Sequence, residues 1–121
     1  MLGTESLTRT QIFETEDWLP TARFPVWEAH PEVSFTHLLG HPPAASKSTW
    51  SGMVERREAL LETGIDVDEL TGPAGSVAAV DDMLDAAVCA WTARRLAFNE
   101  AVSYPDPPEP GSGGRAMAIW A

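Results

Sequence analysis

Three carboxylates stand out by type and placement. Glu28 follows the run Phe24-Pro25-Val26-Trp27, while Asp82 and Asp85 lie three residues apart, which on a helix makes them neighbours on one face. A carboxylate at the end of a strand and two on the first turns of a helix can converge on a hard divalent cation, which prefers oxygen ligands. Two such ions can stabilise both the attacking and the leaving oxygen when a phosphodiester is cleaved. Ionised carboxylates beside an apolar helix face are costly unless a counter-charge or a metal accompanies them. Asp81, Asp82 and Asp85 also suit the positive end of a helix dipole, a reading that needs no metal.

Other residues could assist. His30, two residues after Glu28, can join a metal site or relay a proton, and it can equally be a strand-end histidine bonded to backbone. Glu32 sits in the first turn after Pro31, where acids are favoured for helix reasons, and is a second-choice ligand. Lys47, flanked by Ser46, Ser48 and Thr49, could hold a phosphate with its cation and a helix start. A plain N-cap explains the same hydroxyls. His37 and His41 have no partner at metal spacing and read as surface or loop residues. Arg56 and Arg57 read as charges on a solvated helix face. Cys89 reads as a small core residue. Trp18, Trp27, Trp50, Trp91 and Trp120 read as core or interface anchors, with base stacking open to Trp50.

The elements that must position these groups follow from spacing and breakers. SLTRTQIFETEDWL, residues 6–19, predicts a short amphipathic helix closed by Pro20, and FPVW predicts a strand ending at Glu28. Pro31 opens a helix with Val33, Phe35, Leu38 and Leu39 as its stripe and Gly40 as its stop. Ser48 caps a helix over 49–63 with Met53, Leu60 and Leu61 inward, stopped by Gly64, and residues 66–70 add a turn. TGPAGS is a linker. From Val77 to Val102 runs the longest helix, with Val77, Val80, Leu84, Val88, Trp91 and Phe98 on one stripe and Ala86, Cys89, Ala93 and Leu96 on a second apolar face, so both faces are expected to be buried. YPDPPEPGSGG, rich in proline and glycine, is expected to lack regular structure, and AMAIWA is a candidate terminal strand. The expected organisation is a partial domain over 1–104, a linker over 105–114 and a terminal strand over 115–121.

With 121 residues, 44% of them hydrophobic, the chain can form one modest core. No run approaches the roughly 18 apolar residues of a membrane span, and no signal peptide is evident, so a cytoplasmic protein with no membrane partner is expected. One cysteine excludes an internal disulfide and a cysteine-based zinc site. The balance of 18 acidic against 8 basic residues gives a net charge of -10, opposite to the basic face that grips nucleic acid. Any such face must be local, from Lys47, Arg56, Arg57, Arg94 and Arg95, or come from a partner.

The segments W-E-A-H-P-E-V-S-F, S-K-S-T-W-S-G-M-V-E-R-R and D-D-M-L-D-A-A-V-C-A-W-T-A-R-R, in that order, resemble the bacterial family called domain of unknown function 429, regarded as predicted nucleases of ribonuclease H-like fold. The resemblance implies an α/β fold, the C-terminal part of a mixed sheet with helices around it. It implies a metal-dependent nuclease with Glu28, Asp82 and Asp85 as catalytic and metal-binding carboxylates, Mg²⁺ or Mn²⁺ as cofactor, and nucleic acid as partner. Such families open with a strand bearing a metal-bridging aspartate, which does not precede the first helix here. The chain is therefore expected to be an incomplete nuclease, the alternative being a non-catalytic binding or assembly module. An unpaired strand edge near Val26 further predicts self-association or a partner supplying strands, unless the tail ending in AMAIWA covers the gap.

Overall fold

The computed structural model describes residue 18, residues 25–69, 72–111 and 116–121. The helix expected over 6–19 falls outside the described residues, Trp18 excepted. The chain is an α/β protein in which a layer of helices packs beside a small three-stranded sheet.

Strand β1, Glu28–Ala29, is followed at once by α1, Pro31–Leu39. Proline at the first helical position loses no bond, because that amide has no intrahelical partner. Gly40 ends the helix at φ 79°, its N–H donating to the Thr36 carbonyl at 2.9 Å. Helix α2, Trp50–Glu62, is capped by Thr49, whose hydroxyl accepts from the Gly52 N–H at 3.0 Å. The cap is thus Thr49 and not Ser48. A 3₁₀ turn, Val67–Glu69, follows.

The stretch expected as a linker holds a short helix, α3, Pro73–Val77, again opened by proline. Helix α4, Val80–Ala97, is shorter than the 77–102 predicted. Asn99, at φ 57°, takes the left-handed conformation that asparagine tolerates just past a helix end.

The core is the meeting of α1, α2 and α4: Phe35, Leu60, Leu84, Ala87, Val88 and Trp91 are buried together, with Leu38, Met53, Ile65 and Val67 against them. Burying each large apolar side chain of this set stabilises by about 1.5–3 kcal/mol. Ser34 of α1 and Thr92 of α4, both fully buried, share a hydroxyl hydrogen bond of 2.7 Å, so neither is left unsatisfied. Only the middle of the predicted stripe on α4 reaches this core. Val77, Val80 and Phe98 are exposed, because the helices they flank meet over Leu84 to Trp91. On the second face Ala86 and Ala93 are exposed and only Cys89 is buried, so α4 is covered on one side. Leu61, expected inward, is exposed, since α2 turns the neighbouring Leu60 into the core.

The sheet order is β1-β3-β2. Strand β3, Ala116–Trp120, lies in the middle, parallel to β1 with Glu28 opposite Ile119, and antiparallel to β2. The predicted terminal strand is therefore present, and it covers one edge of β1. Strand β2, Ser103–Pro110, corrects the reading of the proline-rich segment as irregular. Proline's fixed φ suits extended chain, and its missing N–H is tolerated because β2 is an edge strand. The pairing reflects this: it holds at Ser103 and Tyr104 and again at Glu109 and Pro110, with a register break between them. Beyond the strand ends, Val102 and Ala121 exchange both backbone bonds, at 2.8 and 3.0 Å.

Candidate functional site

The densest charged group lies where the loop before α2 meets α1 and α4. Its anchor is Arg56, 1% exposed, on the inner face of α2. The Arg56 Nη2 donates to both oxygens of Glu32, at 3.1 and 3.0 Å, and Nε donates to Oε1 at 3.3 Å. Nη1 donates to the carbonyls of Ala45 and Gly52, each at 2.9 Å, and the guanidinium carbon lies 5.5 Å from the centroid of the Phe35 ring. A guanidinium presents five donors in a rigid fork, so one arginine can hold a carboxylate and two carbonyls at once. Reading Arg56 as a solvated charge is thus corrected: its partners come from α1 and from the loop, distant in sequence. Arg57 does stay outside, 3.4 Å from Asp68 across a half-exposed pair.

The loop is fastened from several sides. The Glu55 carboxylate accepts from the amides of Ala44 and Ala45 at 3.0 and 3.2 Å, and the Ser46 carbonyl accepts from Thr49 N and Oγ1 at 3.0 and 2.7 Å. The loop passes so close to α2 that a Cβ on Gly52 would stand 1.9 Å from the Ser46 carbonyl oxygen. These contacts hold Lys47, whose Nζ lies 3.7 Å from Asp85 Oδ2 on α4.

Asp85 is half-buried, and its other oxygen, Oδ1, is buried with no hydrogen-bond partner among the described residues. Burial raises the Asp85 pKa above its ordinary value, Lys47 opposes the shift, and Glu32, Asp81 and Asp82 reinforce it. Asp85 is therefore the functional-site candidate marked by a perturbed acid with named causes.

The placement of the predicted residues is mixed. Lys47 and Asp85 meet, Glu32 and Asp82 lie within electrostatic reach, and Glu28 stands exposed on β1. Among the described residues no three His, Cys, Asp or Glu side chains form a group that could hold a metal ion, so Glu28, Asp82 and Asp85 do not form the expected trio. The physical reason is that Asp82 points to solvent and Glu28 sits on a strand paired to β3, on the sheet and not on the helical layer. Asp85 Oδ1 is the one oxygen of this group of acids that is buried without a partner among the described residues, while both oxygens of Glu32 are taken by Arg56.

His30 is half-buried in the N-cap position of α1, where its side chain makes no capping bond. His37, read as a surface residue, is hydrogen-bonded through Nε2 to the Tyr104 hydroxyl and ties α1 to β2. Burial lowers its pKa, helped by Arg95. Cys89 is a buried free thiol whose pKa burial pushes up, consistent with an inert core residue. Of the tryptophans Trp91 is buried, whereas Trp50 is 74% exposed. Sequence reasoning missed Arg56, Gly52 and Glu55. The one available signal was Gly52 four residues before Arg56, on the same face of a helix that otherwise has no need of glycine.

Compared with known proteins, residues 7–110 match the model of a family described as "Protein of unknown function (DUF429)". No curated protein and no solved structure matches the chain. Among the described residues no helix is long and apolar enough to cross a membrane.

Proposed function

Since the chain belongs to the DUF429 family, whose description names no activity, we propose from the site itself that it is a divalent-cation-dependent phosphodiester hydrolase of ribonuclease H-like type acting on nucleic acid, with Asp85 as its central carboxylate. The observation that carries this reading is the buried, unpartnered Asp85 oxygen beside a lysine and a second carboxylate. Asp85 would hold the Mg²⁺ or Mn²⁺ ion, with Glu32, Asp81 and Asp82 as the acids within electrostatic reach of it. When bound, such an ion supplies the positive charge that stabilises the oxygens exchanging at phosphorus. Lys47 attracts the anionic phosphate to the same place as a mobile point charge. Arg56 takes no part in the chemistry. It holds Glu32 and the 44–49 loop, and so sets the distance between Lys47 and Asp85.

The test is cleavage of labelled single-stranded and duplex DNA and RNA in Mg²⁺ or Mn²⁺, with Asp85→Asn in parallel. Turnover that requires the cation and disappears in the variant is expected. Turnover unchanged in Asp85→Asn overturns the assignment.

A second reading, a non-catalytic binding or assembly module, is favoured by one observation: both Glu32 oxygens are occupied by Arg56, which leaves Asp85 without a free second ligand at hand. Retained nucleic-acid or protein binding with no hydrolysis in any divalent cation distinguishes it.

A further inference from the structure

Helix α2 turns Arg56 and Leu60 inward, and on another side it meets the C-terminal end of α1 along a groove of about 570 Å³. Leu38 and Leu39 of α1 and Val54 of α2, all half-buried, supply its apolar lining. Trp50, Val54, Glu58 and Glu62 follow at intervals of four residues and make one ridge along α2, about 18 Å long at 1.5 Å per residue. Trp50 stands at one end, with most of its ring in water, and Glu58 and Glu62 stand exposed at the other. Among the described residues no lysine or arginine lines the groove. The last turn of α2 also holds no basic residue, so the negative end of the helix dipole adds to the two carboxylates instead of being offset. Glu55, which shares the lining, is already occupied by the amides of Ala44 and Ala45.

We propose that this groove docks a basic amphipathic helix of a partner protein. Apolar side chains of that helix rest on Leu38, Leu39 and Val54, and its lysines or arginines meet Glu58, Glu62 and the face of the Trp50 ring. The ridge is long enough to lie against about three turns of helix. Charge selects this occupant over the two nearer at hand. A second copy of the chain, with net charge -10, brings like charge to an acidic groove. The chain's own apolar-periodic stretch over 6–19 carries Glu14, Glu16 and Asp17 against Arg9, and is repelled in the same way. A partner with the opposite charge gains both attraction on approach and burial of the exposed indole, the kind of side chain that anchors interfaces. The groove contains neither Asp85 nor Lys47, so the docking surface is independent of the hydrolase reading.

The experiment is fluorescence anisotropy of a labelled amphipathic helical peptide of leucine and lysine, about 18 residues long, titrated with the whole chain. A matched peptide with glutamate in place of lysine is run beside it. The variants are Trp50→Ala, the double charge reversal Glu58→Lys with Glu62→Lys, and the same double reversal at Asp106 and Glu109 on β2, which changes the net charge equally away from the groove. All five residues are exposed, so the fold is retained, which circular dichroism checks. The lysine peptide should bind and the glutamate peptide should not. Trp50→Ala and the reversal on α2 should each weaken binding at least roughly tenfold, as loss of an interface anchor or of complementary charge does. The reversal on β2 should change it less than about threefold, a screened, distant effect. Binding weakened equally by the two reversals reports attraction to net charge alone and overturns the site, as does absence of binding to the wild type. Sedimentation showing self-association that is lost in Trp50→Ala assigns the groove to a second copy and overturns the basic partner.

Discussion

Arg56 and Glu32, 24 residues apart in sequence, form a three-contact pair at 3.0 to 3.3 Å in which the arginine is almost wholly buried and the glutamate half-exposed. The pair joins α1 to α2. Through the remaining guanidinium donors it also joins both helices to the loop that carries Lys47. Removing one partner of such a pair leaves the other with an uncompensated charge, and here also takes the guanidinium donor from the loop carbonyl of Ala45.

Arg56→Ala should therefore destabilise the fold by about 3 kcal/mol. Arg56→Lys recovers only part of this, since an ammonium cannot reproduce the fork. Urea unfolding checks both. A loss under about 0.5 kcal/mol in Arg56→Ala, the range of ordinary surface substitutions, contradicts the clamp.

Gly52→Ala should cost about 1–3 kcal/mol, the usual range for forcing extra atoms into a packed site. The added Cβ meets a backbone carbonyl, which cannot rotate away as a flexible side chain could. Alanine in a helix interior ordinarily stabilises relative to glycine, so the sign of the effect is diagnostic. A more stable variant by thermal denaturation means the loop lies farther from α2.

Glu55 gives the fold an acid dependence. The hydrogen bond from the Ala44 amide is the largest influence on its carboxylate and lowers the pKa below the ordinary 4.5; burial opposes this, and the Ala45 amide reinforces it. A folded-state value below the unfolded one means that Glu55 contributes stability fully above pH 4.5, and that this is lost as the pH falls through the depressed value. Compared with Glu55→Gln, the wild type should show a stability advantage near neutrality that narrows below pH 4.5. Parallel urea midpoints for the two proteins at pH 7 and pH 3.5 read it directly. A gap that does not change with pH contradicts the loop bonds.

Asp85 has the opposite sign. Its pKa is raised chiefly by burial, from an ordinary 3.8, so the charged form is disfavoured by folding. Its contribution is most favourable below pH 3.8 and is lost as the pH rises through the higher folded value. Asp85→Asn removes that cost and should be at least as stable as the wild type at pH 8 while losing cation binding. Such a trade of stability for function is expected at sites that keep an unsatisfied charge. A clearly less stable Asp85→Asn contradicts the account, and points to a structural ion pair with Lys47 instead.

Local rules made part of this legible in the sequence. Pro31 and Gly40 bound α1 as expected, and the spacing of Leu84, Val88 and Trp91 identified the buried side of α4. The family assignment followed from the ordered segments around Glu28, Lys47 and Asp85. What failed depended on partners distant in the chain. Arg56 looked like surface charge because nothing near it in sequence announces Glu32 or the Ala45 carbonyl. The proline run looked irregular because composition does not say that a C-terminal strand lies alongside to pair it. Of the predicted carboxylates Asp85 lies against Lys47 and within reach of Glu32, residues whose sequence neighbourhood suggests only auxiliary roles, whereas Glu28 stands on the sheet.

The most direct test of where the site lies is a ¹H–¹⁵N spectrum of the chain with sub-stoichiometric Mn²⁺, whose unpaired electrons broaden nearby amide signals. The account predicts broadening centred on Asp85 and extending to Glu32 and Lys47, and its disappearance in Asp85→Asn. Broadening centred instead on exposed acids away from this site, such as Asp66 and Asp68 or Asp106 and Glu109, and persisting in that variant, would contradict it.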